Sequence, residues 1–99
     1  MKKAVIEVES TEQELIDKLN ACSPDDFEIV KSSRFSGTVE TLTIWLPLII
    51  ESIKLLSEYI AFRKVVGKKS ITVDGKKIIL ENLSKEEIEA VLEKELNGQ

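Results

Sequence analysis

The residues able to do chemistry are few in this chain, and the first fact about them is an absence: there is no histidine. That removes the commonest general base and the commonest metal ligand. One cysteine, Cys22, stands alone. Zinc sites draw their protein ligands in threes or fours, so Cys22 cannot found one. As a nucleophile it would need a base and an electropositive setting. Its neighbours Asp25 and Asp26 supply the reverse, and a small apolar side chain at a helix end is the expectation. Asp25, Asp26 and Glu28 offer oxygens to a hard cation but lack the EF-hand spacing, and a solvated turn is expected there. Glu7 and Glu9 alternate so as to share one strand face, as an acid–base pair of carboxylates requires. The same alternation describes ordinary strand surface. The glycines at 37, 67, 75 and 98 form neither a dinucleotide fingerprint nor a P-loop, so no phosphate cradle is expected. No catalytic residue, cofactor or metal ligand is predicted.

One charge constellation remains. Arg63, Lys64, Lys68, Lys69, Lys76 and Lys77 crowd residues 63–77 with only Asp74 against them. The rest of the chain holds eight basic and seventeen acidic residues, and the net charge is −4. A basic end on an acidic protein suits a docking patch for an acidic partner, for phosphate, or for a protein that carries nucleic acid. It equally suits a solvated hairpin edge, where lysines discourage strand pairing. Direct nucleic-acid affinity is not expected of so acidic a chain, and few aromatics accompany the patch to stack bases.

Ninety-nine residues, 42% hydrophobic and 32% charged, make one globular domain spanning 1–99. A single cysteine allows no internal disulfide, which fits a reducing, cytoplasmic setting. After Lys2 and Lys3 the apolar run AVI is too short for a signal peptide.

The elements that must position these residues follow from periodicity. KAVIEVE, Lys3 to Glu9, alternates as a strand. Ser10 and Gln13 have capping-box spacing for a helix reaching about Ala21, ended by Ser23-Pro24. Phe27 to Ser32 reads as a second strand, with Phe27 and Ile29 on one side. A strand–helix–strand unit with short joints predicts two parallel strands. SSRFSGTVET reads as a loop or ragged strand end. Thr41 to Val66 is then predicted as one long apolar helix, starting near Leu46 or kinked at Pro47. Asp74-Gly75 predicts a type I′ hairpin pairing Val73 with Lys76, Thr72 with Lys77, Ile71 with Ile78 and Lys69 with Leu80. Ser84 and Glu87 predict a capped final helix burying Ile88, Val91, Leu92 and Leu96. The expected fold is α+β in the order β-α-β-α-β-β-α: a mixed four-stranded sheet with helices mainly on one face.

The long helix carries the sharpest functional expectation. Trp45, Ile49, Ile53, Leu56 and Ile60 fall on one line with Leu42, while Leu48, Leu55, Tyr59, Phe62 and Val66 form a second line a quarter-turn away. That apolar surface is wider than a single packing stripe. Either the flanking helices sandwich it, or it pairs with another protein, a homodimer being the commonest closure. Glu51, Lys54 and Glu58 lie on its polar face and argue against a membrane span.

An opening strand, a capped helix, a second strand, an apolar helix ending in Arg63-Lys64, the hairpin ITVDGKKIIL and the final helix LSKEEIEAVLEKEL make a layout that resembles the effector-associated constant component family of bacterial conflict systems. The resemblance spans nearly the whole chain, though a glycine-rich run before the long helix is reduced to Gly37 here. It implies a non-enzymatic adaptor beside a variable effector, in antiviral defence. The competing expectation is a small phage-encoded inhibitor of a defence nuclease, similar in action to an anti-CRISPR. Small size, acidity and missing catalytic groups fit both.

Overall fold

The computed structural model describes residues 2–36, 39–62 and 69–98. Five strands and three helices follow in the order β1 (Lys3–Glu9), α1 (Gln13–Cys22), β2 (Glu28–Ser36), β3 (Val39–Pro47), α2 (Ile50–Phe62), β4 (Ser70–Val73), β5 (Lys76–Ile79) and α3 (Lys85–Leu96), with a 3-10 turn at Pro24–Asp26. The fold is α+β, as expected, but the sheet has five strands in the order β2-β3-β1-β4-β5 and every pairing is antiparallel.

The largest departure lies at residues 39–47, where the expected loop and helix start are replaced by β3. Leu42, Ile44 and Leu46 point to the core, while Thr41, Thr43 and Trp45 point away. The period is two, and the β-branched threonines and Ile44 suit it. Pro47 settles the competition. Inside a helix it would remove a hydrogen bond and clash with the preceding turn, at about 3 kcal/mol. As the last residue of a strand it interrupts little. α2 therefore begins only at Ile50, and no helix runs from Thr41. The segment SSRFSGTVET is likewise mostly strand, divided between the end of β2 and the start of β3.

A buried serine makes the corner between β3 and α2. Ser52 Oγ accepts the Ile49 N–H at 2.9 Å and lies 3.1 Å from the Pro47 carbonyl and 2.9 Å from that of Ile49, to which it can donate. The helix start is thus capped from its own first turn. The Leu48 N–H donates to the Lys2 carbonyl at 2.8 Å, so the β1–β3 ladder runs up to the corner.

β1 and β2 do run in the same direction, as a strand–helix–strand unit requires, but β3 lies between them. β3 and β4 are also co-directional, with β1 between them. Each crossover helix therefore spans a strand supplied by the other unit. Ala4, Ile6, Val8, Leu42, Ile44, Leu46, Ile71 and Val73 give the sheet one buried face. On it lie Ile16 and Leu19 of α1, Ile53, Leu56 and Ile60 of α2, and Ile88 and Leu92 of α3. α2 packs between α1 and α3.

The hairpin has the predicted register, Val73 with Lys76, Thr72 with Lys77 and Ile71 with Ile78, and the Leu80 N–H donates to the Lys69 carbonyl at 2.8 Å. Asp74 and Gly75 take φ of 49° and 85°. Asp74 also fastens the hairpin to β1: its Oδ1 accepts the Lys3 N–H and its own N–H donates to the Lys3 carbonyl, both at 2.9 Å. Ser84 and Glu87 form the predicted capping box of α3. Ser10 does not cap α1. Glu12 occupies the cap position, and its side chain makes no capping bond there.

A polar contact joins α2 to α3. Ser57 Oγ is buried, donates to the Lys54 carbonyl at 3.0 Å and lies 3.5 Å from Glu89 Oε1, which accepts from Lys85 Nζ at 2.7 Å. The hydrogen bond from Lys85 holds the Glu89 carboxyl below its ordinary value. The same bond holds the Lys85 ammonium above its own.

Two outcomes are expected. Gly75→Val should destabilise the fold by about 1–3 kcal/mol, because a β-branched residue resists positive φ. An unchanged urea midpoint would count against the hairpin. A carboxyl with a depressed pKa contributes stability that is complete above its unfolded value, about pH 4.3, and is lost as pH falls through the folded one. Glu89→Gln should therefore melt below wild type at pH 7, and the gap should narrow as pH falls below the unfolded value, which differential scanning calorimetry reads.

Candidate interaction surface

The face of the sheet turned away from the helices is where the interface residues and the basic residues are sorted. Register sets one row straight across it: Glu28 on β2, Trp45 on β3, Val5 on β1, Thr72 on β4 and Lys77 on β5. The next row holds Val30, Thr43 and Glu7. Ser70 and Ile79 face each other on the same side of β4 and β5. Among the described residues no helix lies on this face. Trp45 is 43% exposed, Ile79 51% and Val30 39%. A tryptophan whose strand neighbours Ile44 and Leu46 are buried, yet which itself stands half in water, is the most conspicuous apolar group on this surface.

The helix-line interface does not survive this geometry. Ile53, Leu56 and Ile60 are at most 1% exposed, inside the core formed by the chain itself. Ile49 is half-buried at the corner before α2, and Trp45 is across the sheet from the other four. Ile53, Leu56 and Ile60 of the first line and Tyr59 of the second are covered because α1 and α3 flank α2 while the sheet lies beneath it. The sandwich reading therefore describes this helix. The second line divides as well: Leu48 and Tyr59 are buried, Leu55 is half-buried, Phe62 is 71% exposed, and Val66 lies outside the described residues. The polar face is as expected, with Glu51, Lys54 and Glu58 exposed.

The basic constellation is only partly placed, since Arg63, Lys64 and Lys68 lie outside the described residues. Lys69 is half-buried beside β4. Lys76 and Lys77 point to opposite faces of β5. Lys76 turns to the helix side, its Nζ 3.4 Å from Glu95 Oε2, whereas Lys77 ends the row through Trp45. The two adjacent lysines thus do not share one patch. Against β5 they act as charges on a short edge strand, where they oppose sheet extension.

The remaining chemical candidates are dispersed. Cys22 ends α1 half-buried, and its partial burial, reinforced by the Glu51 charge, pushes the thiol up and away from the reactive thiolate. Glu7 and Glu9 share the open face, opposite Thr43 and Thr41. Asp25 and Asp26 are exposed on the 3-10 turn. Among the described residues no three histidine, cysteine or carboxylate side chains gather as a metal site. No described helix is long and apolar enough to cross a membrane.

Sequence reasoning counted Trp45 but put it on a helix, and it missed Val30 and Ile79. The signal for Trp45 is alternation: Thr41, Thr43 and Trp45 interleave with Leu42, Ile44 and Leu46. Compared with known protein families, curated proteins and solved structures, the chain matches none of them.

Burial of α2 yields a direct outcome. Leu56→Glu should unfold the domain, because a carboxylate in a dry core costs several kcal/mol or more. A folded, smaller species on gel filtration would instead restore the helix as an intermolecular surface.

Proposed function

We propose that this chain is a non-enzymatic protein–protein interaction module, acting as a cytoplasmic adaptor in a bacterial defence or conflict system. The observation that carries the interaction role is Trp45, 43% exposed on an uncovered sheet face, one strand in from the β2 edge. Tryptophan is the residue most enriched among interface hot spots, since it buries a large area with few rotatable bonds. The direct cross-strand neighbours of Trp45 are Val5 on β1 and Glu28 on β2, and the short side chains of Thr43 and Thr72 lie on the same face. Glu28 thus stands directly beside the indole, and Glu7 and Lys77 lie further along the same face. The absence of histidine leaves little for acid–base chemistry to use. The adaptor role itself rests on the layout resemblance. That layout differs from the observed one at residues 39–49, where strand and corner replace helix.

The test uses the single tryptophan as both anchor and reporter. Partners recovered with the tagged chain from its native host are titrated against wild type and Trp45→Ser. Loss of a hot-spot tryptophan removes about 2 kcal/mol or more, roughly a thirty-fold weakening. The melting temperature should barely move, and wild-type indole emission should shift to the blue on binding. Equal affinity for both proteins would remove Trp45 and this face from the account. Recovery of a defence nuclease that the chain inhibits would replace the adaptor role with an inhibitory one.

A further inference from the structure

Among the described residues, the charges on the open face of the sheet are sorted into opposite corners. Val5 is the midpoint, since β1 is the central strand with two strands on either side. Lys3 stands two residues from Val5 toward one end of β1, and Lys77 stands two strands away on β5. Glu7 and Glu9 stand two and four residues from Val5 toward the other end, and Glu28 stands two strands away on β2. Lys3, Lys77, Glu7 and Glu28 are exposed and Glu9 is half-buried. Asp74 also sits near Lys3, but its Oδ1 is turned to the Lys3 N–H at 2.9 Å. One corner is thus basic and the opposite corner acidic. The diagonal dividing them runs from Pro47, opposite Lys3, through Val5 toward Ile79.

Two sheets pack face to face with their strands either nearly aligned or crossed near a right angle. For a second copy on this face, charge decides between the two. A two-fold axis along the strands through Val5 would set Lys3 on Lys3 and Glu7 on Glu7. An axis across the strands would set Glu28 on Glu28 and Lys77 on Lys77. Like charges placed together in this way are costly. An axis along the diagonal avoids both and crosses the strands near a right angle.

We infer that this face is the interface of a homodimer with crossed sheets, in which the basic corner of each copy meets the acidic corner of the other. Strands lie about 4.8 Å apart and alternate residues about 6.7 Å apart. Lys77, about 10 Å from Val5, therefore comes between the partner's Glu7 and the partner's Glu9, which lie about 7 and 13 Å along the crossing strand. Lys3 comes beside the partner's Glu28 by the same measure. Val5 packs on the partner's Val5, and Ile79 comes beside the partner's Ile79 on the diagonal. The Trp45 indole, one strand from Val5, enters between the partner's Val5 and the partner's Lys3. A patch complementary to itself in this way closes as a two-fold dimer. The dimer uses the Trp45 face proposed above as an interaction surface, so it rests on that reading, with a second copy of the chain as the occupant.

Sedimentation velocity at rising concentration tests it. Wild type should pass from monomer to dimer, and its indole emission should shift to the blue as Trp45, the single tryptophan, is buried. Trp45→Ser should weaken the dimer about thirty-fold or more. Lys3→Glu and Glu28→Lys should each stay monomeric where wild type is dimeric, because each sets like charges together at both symmetric contacts. Their circular dichroism should match wild type, since both positions are exposed in the single chain. Mixed in equal amounts, the two variants should dimerise with each other, because opposite charges then meet at both contacts. A wild type that stays monomeric, single variants that self-associate as wild type does, or a mixture that stays monomeric would each overturn the dimer. A monomeric wild type that loses a different recovered partner on Trp45→Ser would overturn the dimer and leave the interaction reading in place.

Discussion

The pairing of β1 with β3 is the contact on which the rest depends. It runs from Lys3 opposite Pro47 to Glu9 opposite Thr41 without irregularity. It sets Ala4, Ile6 and Val8 beside Leu46, Ile44 and Leu42, all at most 9% exposed. A slip of one residue would turn the whole buried set of the slipped strand to the far face. Each fully buried aliphatic side chain is worth about 1.5–3 kcal/mol, so that slip costs far more than any surface interaction here supplies. The two crossovers are interleaved through the same pair, since β3 separates β1 from β2 and β1 separates β3 from β4. Neither strand–helix–strand unit can complete its sheet without the other.

The corner at Pro47–Ser52 follows from that register. β3 ends where proline withdraws its donor, and the chain must turn within Leu48 and Ile49 to lay α2 on the sheet. Ser52 meets the backbone groups the turn exposes. With α2 so placed between α1 and α3, the middle of its wide apolar surface is consumed inside one chain, and only Ile50 and Phe62 at its two ends stay exposed. On the sheet, the large hydrophobic side chains left exposed are Trp45, Ile79, Ile29 and Val30.

Local chemistry was legible in the sequence wherever one short signal decided the geometry. Asp74-Gly75 specified a tight turn and with it the register of β4 and β5. Ser84 and Glu87 specified the start of α3. The stretch from Thr41 to Ile53 was not legible in that way. A buried strand, a two-residue corner and a buried helix follow there with hardly a polar break, and a continuous apolar run fits both periods. Leu42, Trp45 and Ile49 fit a helical line by spacing, although they belong to a strand and a corner. Pro47 was the discriminating residue, and it argued for a break rather than a kink. Strand adjacency was hidden for another reason: the direction of β1 and β2 is a local consequence of α1, but the insertion of β3 between them is a long-range one. The functional surface inherited both difficulties. Trp45 was singled out by residue type, but its face could be assigned only once its strand was known.

Backbone chemical shifts and nuclear Overhauser contacts in solution test this account at its root. β3 as a central strand predicts extended shifts through residues 39–47 and cross-strand contacts of Trp45 with both Val5 and Glu28, with helical shifts starting at Ile50. Helical shifts running unbroken from Thr41 to Phe62, with no contact between Val5 and Trp45, would contradict it.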